Sequence, residues 1–506
     1  MNIPSNFRLA TSSQAKSIDA RTIEEAGVSG PMLMEVAGAK AAEHILLTAP
    51  LARNALIVCG KGNNAGDALV AARYLSQNSL PVTVAFAEGT DKLSPDARAN
   101  FDILRKLQAR DSSGTLTFHT QLPDLETLGP YDIIVDGLLG IGIAGEVRPP
   151  YGRIIDYVNK ASALVYAMDI PSGLHADDGS ISGSCIQADY TYCFGTNKLG
   201  CSLGEGPARS GKVIYVDLGF PAYLKNGIRQ FAITADWVDQ LPIQRRHPRH
   251  KYETGNIYVI AGSEGMTGAA IMTAESSWKA GAGSVSVITP RGLMGIMESR
   301  LIHQTKHAVG KKDDVIFNTS HYHEIMEHLC RRKGTVAIGP GLGRNEETKT
   351  LVKQIIRTFE GNIVIDADAI QAIGRDPGVF SQTKASVVLT PHPGELNSLT
   401  DSDNKDSFQR MNTVTTYCQK HQVYMLSKGM PGIIAAPDGS AYITQYDTII
   451  FSRTGFGDIL TGKIATLWEM TGNPLYSCAH ALLDGKSRYD KHLRRTSDTP
   501  EPLDLL

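Results

Sequence analysis

The sequence predicts an α/β protein of two domains, each built on a doubly wound, largely parallel sheet. Three observations lead there. The chain has 506 residues, too many for one ordinary hydrophobic core. Short β-rich runs recur, each followed by a glycine or polar loop and then a helical pattern. The residues with chemical potential gather directly after those runs, at the strand ends where such sheets place their ligands.

In the first half the runs are residues 55–59, 82–87, 132–136 and 164–169, and Leu69, Val70, Ala72, Arg73 and Leu75 read as a helix packed behind the first of them. In the second half the runs are 256–260, 284–288, 335–338, 363–366, 386–389 and 423–426. The first half closes with a strand-like 213–216 and a Gly-Phe-Pro turn. A new start at 233–241 is followed by the basic, polar stretch 244–251. The join therefore falls within 224–235, and the domains are taken as 1–228 and 229–506.

Hydrophobic residues make up 42% and charged residues 20%, ordinary values for globular protein. A formal net charge of −2 leaves no electrostatic footprint for nucleic acid or an acidic membrane surface, and neither partner is expected. Residues 1–14 lack the apolar core of a signal peptide, and no stretch is long enough to cross a bilayer. The seven cysteines are odd in number and contain no CxxC; even spacing of Cys185, Cys193 and Cys201 fits no zinc motif. Reduced thiols in a cytoplasmic protein are the expectation.

Three segments of the first half end on strands. Gly60-Lys61-Gly62-Asn63-Asn64-Ala65-Gly66-Asp67 leads into a helix, where glycines admit a ligand to the backbone and first-turn amides favour phosphate. The bland alternative is an Asn-Gly turn with Asp67 as a helix cap. Asp136 is followed by Gly137, Leu138, Leu139, Gly140, Ile141, Gly142, Ile143, Ala144 and Gly145, which contain a literal GxGxxG. Glu146-Val147-Arg148-Pro149-Pro150 stands where a dinucleotide-binding helix would open, so the dehydrogenase reading is rejected and a ligand-contacting loop is kept. The third segment is Asp169-Ile170-Pro171-Ser172-Gly173. Oxygen ligands without Cys or His at these ends suit K⁺ or Mg²⁺ better than zinc.

In the second half, Gly455-Phe456-Gly457-Asp458 precedes the helical 459–470. Gly-x-Gly-Asp opening a helix makes an anion hole for phosphoryl oxygens, with the aspartate placed to take a proton from an attacking hydroxyl. Ser427-Lys428-Gly429, Thr390-Pro391-His392-Pro393-Gly394-Glu395 and Gly339-Pro340-Gly341-Leu342-Gly343 end three further strands. There is no Walker A sequence, so phosphoryl chemistry here is not of the P-loop type.

The ordered set of motifs resembles the bifunctional NAD(P)H-hydrate repair enzymes, an NAD(P)HX epimerase fused to an ADP-dependent NAD(P)HX dehydratase. In the first half the resemblance rests on Leu33-Met34-Glu35-Val36-Ala37-Gly38, the Gly-Asn-Asn-x-Gly-Asp loop, Asp136 with its glycines, and Asp169-Ile-Pro-Ser-Gly. In the second it rests on His250-Lys251, Gly268-Ala269-Ala270, Gly339-Pro-Gly-Leu-Gly, Asp366-Ala-Asp-Ala, His392-Pro-Gly-Glu, Lys428-Gly and Gly455-x-Gly-Asp. The resemblance spans about residues 10 to 495. It implies a Rossmann-like three-layer α/β/α first domain and a ribokinase-like α/β second domain.

The resemblance also implies roles. The first domain would interconvert the R and S epimers of hydrated NADH or NADPH. Asn63, Asn64, Ala65, Gly66, Asp67, Gly140, Ile141, Gly142, Ile143, Ala144, Gly145, Glu146 and Asp169 would contact the hydrated cofactor. Asn64, Asp136 and Ser172 would hold K⁺, and Asp169 would move the proton. The second domain would bind ADP, with Mg²⁺, through Lys428, Gly429, Met430, Pro431, Gly432 and Gly457. Asp458 would deprotonate the ring hydroxyl for attack on the terminal phosphoryl group, while Ala269, Gly341 and His392 line the nicotinamide side. A homo-oligomer is expected.

Ala65 and Ala68 depart from the family's first loop, and Gly432 and Phe456 stand where threonines are usual. Gly432 predicts one missing phosphate contact, and the two together predict a weaker dehydratase or a changed nucleotide preference. The competing reading is a ribokinase-like small-molecule kinase with an accessory N-terminal domain; His392-Pro-Gly-Glu and the Asn-Asn-x-Gly-Asp loop count against it. A binding or scaffold protein is the rival from another class. Retention of Asn64, Asp67, Asp136, Asp169 and Ser172 together counts against that.

Overall fold

The computed structural model describes residues 3–110, 114–143, 145–243, 255–402, 404, 406–496 and 498–506. His250 and Lys251, and Ala144 of the first glycine loop, lie outside the described residues. The chain forms two compact units, Met1–Phe231 and Ala232–Leu506.

The first unit holds β1 (Leu9–Ala10), β2 (Ala55–Cys59), β3 (Val82–Phe86), β4 (Leu116–His119), β5 (Ile133–Gly137), β6 (Leu164–Met168), β7 (Tyr190–Phe194), β8 (Asn197–Lys198) and β9 (Lys212–Val216). Seven of these make a parallel sheet in the order β4-β3-β2-β5-β6-β7-β9. Alternation along β2 shows why it has three layers. Ala55, Ile57 and Cys59 enter the core beneath the helices Gly30–Thr48 and Asn63–Gln77, while Leu56 and Val58 enter the core on the other face with Ile154, Ile155 and Val158. The chain leaves β2 towards β3 and returns on its other side as β5. The carboxyl ends of β2 and β5 therefore frame the crevice of the sheet. Outside the sheet, β1 pairs in parallel with β8.

The second sheet contains β10 (Gln230–Ile233), β11 (Asn256–Ile260), β12 (Ser284–Pro290), β13 (Thr305–Val309), β14 (Thr335–Ile338), β15 (Asn362–Ile365), β16 (Ser386–Leu389), β17 (Tyr424–Ser427), β18 (Ile433–Ala435) and β19 (Ala441–Thr444). Its order is β10-β19-β18-β17-β16-β15-β14-β11-β12-β13. The run from β13 to β17 is parallel, and β17, β18 and β19 pair antiparallel. The expected new start at 233–241 divides into the end of β10 and a short helix, Ala235–Asp239, capped by the Thr234 hydroxyl. The expected helix at 459–470 begins three residues earlier, as Phe456–Thr471.

Candidate active sites

In the first unit β2 runs through Gly60 to Gly62, the N-cap of the helix Asn63–Gln77. Gly60 is needed for the close approach of two strand ends, since a Cβ there would lie 1.9 Å from the Leu138 carbonyl oxygen. Asp67 is the fifth residue of that helix, so it is not its cap. It lines a cavity of about 520 Å³ together with Asp19, Asn63, Asn64, Asp169 and Lys198. Residues 140–143 also line it, and the next helix opens only at Tyr151, as the rejection of a dinucleotide fingerprint requires. Ala65 and Gly66 are buried in the helix and Gly66 packs on Met34, so neither forms the wall; nor do Gly145 and Glu146.

Asp136 is fully buried behind this cavity. Its Oδ1 accepts from the Ser172 hydroxyl (2.6 Å) and the Leu138 amide (3.1 Å), and its Oδ2 accepts from the Ser172 amide (2.8 Å). Burial nevertheless pushes its carboxyl up to about 6, against the pull of those donors. Asn64 donates to the Leu139 carbonyl oxygen (3.0 Å), and its own Oδ1 is buried without a partner among the described residues. A buried oxygen left unmatched costs about 1–3 kcal/mol. An orphaned carbonyl-type oxygen beside a carboxylate, a hydroxyl and a loop carbonyl is a donor set that fits a hard monovalent cation.

Asp169 follows β6 with φ +64, a left-handed conformation that Asp tolerates better than most residues. Its Oδ1 accepts from Lys198 Nζ and from the Phe194 amide (3.1 Å). Lys198, on β8, was not anticipated from sequence, and neither was Asp19, on the helix Ser12–Ala26. Neither belongs to a motif, and no signal in the sequence marks either. Burial raises the Asp19 carboxyl, and the charge of Asp169 adds to the effect.

In the second unit the ends of β15, β16 and β17 and the helix Phe456–Thr471 converge. Asp366 accepts from Lys428 Nζ at Oδ1 (2.8 Å) and from the Thr461 hydroxyl at Oδ2 (2.7 Å). All three residues are buried. Burial works against the Lys428 charge, but Asp366, aided by Glu395, outweighs it and raises the ammonium. Gly455 is the helix N-cap with φ +85, and Asp458 is in the first turn. A Cβ on Gly457 would stand 3.2 Å from Lys428 Nζ, so the ammonium lies beside the first turn of the helix. Burial pushes the Asp458 carboxyl up to about 7, with Asp366 adding and Lys428 opposing.

His392 Nδ1 accepts from the amides of Gly394 (3.0 Å) and Glu395 (3.4 Å), which places its proton on Nε2. Nε2 lies 3.3 Å from Glu395 Oε1, and Glu395 Oε2 accepts from the His392 amide (2.8 Å). Burial and then the Lys428 charge hold the imidazole below its usual value. The 428–432 loop is held from beneath by Arg410, another residue the sequence did not mark. Its guanidinium donates to the carbonyls of Ser427 (3.3 Å), Lys428 (3.1 Å) and Pro431 (2.5 Å). Gly432 donates to the Thr444 hydroxyl (2.9 Å), and a Cβ on it would meet Thr448 Oγ1 at 3.2 Å. The missing threonine hydroxyl is thus bordered by two others. Gly341 abuts the start of the helix Thr267–Lys279 at Ala269, and the Gly343 amide donates to Asp368 (3.0 Å).

Residues 30–200 match the family described as YjeF-related protein N-terminus, and residues 257–497 match NAD(P)H-hydrate dehydratase. A bifunctional NAD(P)H-hydrate repair enzyme of Salinibacter ruber is 32% identical, covering 95% of this chain and 91% of its own. One from Moorella thermoacetica is 33% identical over 91% of this chain and 87% of its own. Among solved structures, an ADP/ATP-dependent NAD(P)H-hydrate dehydratase from Bacillus subtilis is 21% identical, with TM-score 0.47, covering 54% of this chain and 93% of that one. With matched halves in this order along nearly the whole length, the chain belongs to the bifunctional NAD(P)H-hydrate repair enzymes, epimerase and dehydratase in one polypeptide.

Proposed function

We propose that the epimerase occupies residues 1–228 and the dehydratase 229–506, and that each works through the residues described above. In the first, Asn63, Asn64, Asp67, residues 140–143 and Asp169 contact the hydrated cofactor, NADHX or NADPHX, and Asp169 moves the proton. Asn64, Asp136 and Ser172 hold K⁺, a reading supported by the orphaned Asn64 oxygen. The ion would supply a fixed positive charge beside the 137–143 loop.

In the second, Lys428 to Gly432 and Gly457 bind the phosphates of ADP. Asp458 takes the proton from the substrate's ring hydroxyl, whose oxygen attacks the terminal phosphorus. The bond to the bridging oxygen breaks and AMP leaves. Phosphorylation makes the ring oxygen a good leaving group. Loss of a proton from the neighbouring carbon then expels phosphate and restores the double bond of NAD(P)H. Ala269, Gly341 and His392 line the nicotinamide side. Mg²⁺ would arrive with the nucleotide, held through its phosphate oxygens. The observation that carries this reading is a half-buried carboxylate in the first turn of a glycine-led helix, with a buried lysine standing beside the same turn. A homo-oligomer in a reducing cytoplasm completes the reading, in keeping with seven free cysteines.

The test follows absorbance at 340 nm after adding the chain, ADP, Mg²⁺ and K⁺ to mixed R and S NADHX. Full recovery of NADH from both epimers is expected. Recovery that stops with the S form would remove the epimerase assignment, and no recovery would remove the dehydratase assignment.

A further inference from the structure

The Lys198–Asp169 pair has a feature that simple charge compensation does not require. Lys198 Nζ spends all three of its protons within the protein. They go to Asp169 Oδ1, to the Phe194 carbonyl (3.1 Å) and to the Thr196 carbonyl (2.9 Å). The ammonium has no proton left to point at a ligand. Asp169 Oδ1 is likewise filled, by Lys198 and the Phe194 amide. Oδ2 accepts no hydrogen bond among the described residues, and the side chain keeps 16% of its surface open to the cavity wall. One oxygen is anchored and the other is free.

Asp67 lines the same cavity and its carboxyl has no hydrogen-bond partner among the described residues. We propose that Lys198 is a positioning residue that commits Asp169 Oδ2 to accepting a proton, and that Asp67 is the proton donor of the same cavity. The proposal rests on the epimerase reading of this site and deepens it.

The chemistry needs two such groups. The hydrated carbon carries a hydroxyl and is bonded to the ring nitrogen. Asp67 gives its proton to that hydroxyl; the C–O bond breaks, water departs, and the nitrogen lone pair closes a C=N bond. Water then adds to the opposite face, its oxygen bonding carbon as the C=N pair returns to nitrogen, and Asp169 Oδ2 takes the released proton. The epimer has changed, and one proton has moved from Asp67 to Asp169 and returns through solvent. The reverse reaction uses the two carboxyls in exchanged roles.

The electrostatics agree with this division. Burial, with Asp169 and Asp19 adding and Lys198 opposing, lifts the Asp67 carboxyl well above the usual range, which favours its protonated form. Burial works against the Lys198 charge, but Asp169 and then Cys193 outweigh it. The remaining charged groups on the cavity wall are Lys16, Lys61 and Asp96.

The test measures R-to-S exchange in the full chain without ADP, so that no dehydration follows. Asp67→Asn should lower kcat by about 100-fold or more and leave KM within about threefold. Lys198→Met should lower kcat and move the acid limb of the kcat/KM profile to higher pH by about one unit, and Lys198→Arg should restore that limb. Thermal melts establish that each variant is folded; should Lys198→Met not fold, the Asp67→Asn result decides. Asp67→Asn turnover within threefold of the parent, or an unmoved acid limb in folded Lys198→Met, overturns the inference. A parent chain that exchanges no epimers would instead remove the epimerase reading beneath it.

Discussion

Replacing Asp458 by Asn should abolish dehydration and at the same time stabilise the second unit, by an amount that grows with pH. In the unfolded chain this carboxyl titrates near 4. In the folded unit burial holds it at about 7. The folded state therefore binds the proton more tightly, and its stability is greatest below pH 4 and declines as pH rises from there through 7. Three units at about 1.4 kcal/mol each give about 4 kcal/mol as an upper figure. Asp458 is not wholly enclosed, so about 2 kcal/mol at pH 8 is the expected gain for the neutral Asn. At pH 5 most of the titration lies ahead, and less than about 1 kcal/mol is expected. The three tryptophans, Trp237, Trp278 and Trp468, all belong to the second unit, so their fluorescence during urea titration reports its unfolding alone. A gain of equal size at pH 5 and pH 8, or none at either, would refute the argument that Asp458 is held against its ionisation. Dehydration persisting in the Asn variant would refute its role as base.

Two further outcomes follow from the geometry. Omitting K⁺ should slow epimer exchange about tenfold, and Asn64→Leu should give the slow rate whether or not K⁺ is present; a K⁺-independent parent chain would count against that ligand set. Gly457→Ala places a methyl group 3.2 Å from Lys428 Nζ, and the KM for ADP should rise about tenfold, measured by initial rates at saturating S-NADHX.

Much of this was legible because strand ends announce themselves. The strands at Ala55–Cys59, Asn256–Ile260, Thr335–Ile338 and Ser386–Leu389 coincide with the runs read from sequence, since they are almost wholly buried and rich in β-branched and aliphatic residues. Asn64, Asp136 and Ser172 could be grouped because Asp136 ends such a run and the other two lie in the loops just after one. Thr305–Val309 was not read as a strand: it lies at the sheet edge and carries Lys306 and His307. Asp19, Lys198 and Arg410 were missed for a different reason. Each reaches its site from a distant element, and a lysine or arginine in a sequence carries no sign that it will be buried. Arg410 sits on the helix Ser407–His421, and only the fold turns it under the 428–432 loop.

The pairing of Leu9–Ala10 with Asn197–Lys198 has a consequence for the order in which the first unit is built. Nearly the whole unit lies between the two partners, so the pair cannot form until the chain has been made almost to its boundary. Closing so long an intervening segment is entropically disfavoured until the parallel sheet beneath is in place. Lys198 on one partner and Asp19, shortly after the other, would therefore take up their places late, after the β2 and β5 ends have already met. A partly folded unit would carry joined β2 and β5 ends with an unfinished cavity, and catalytic competence would mark completion of folding rather than its beginning.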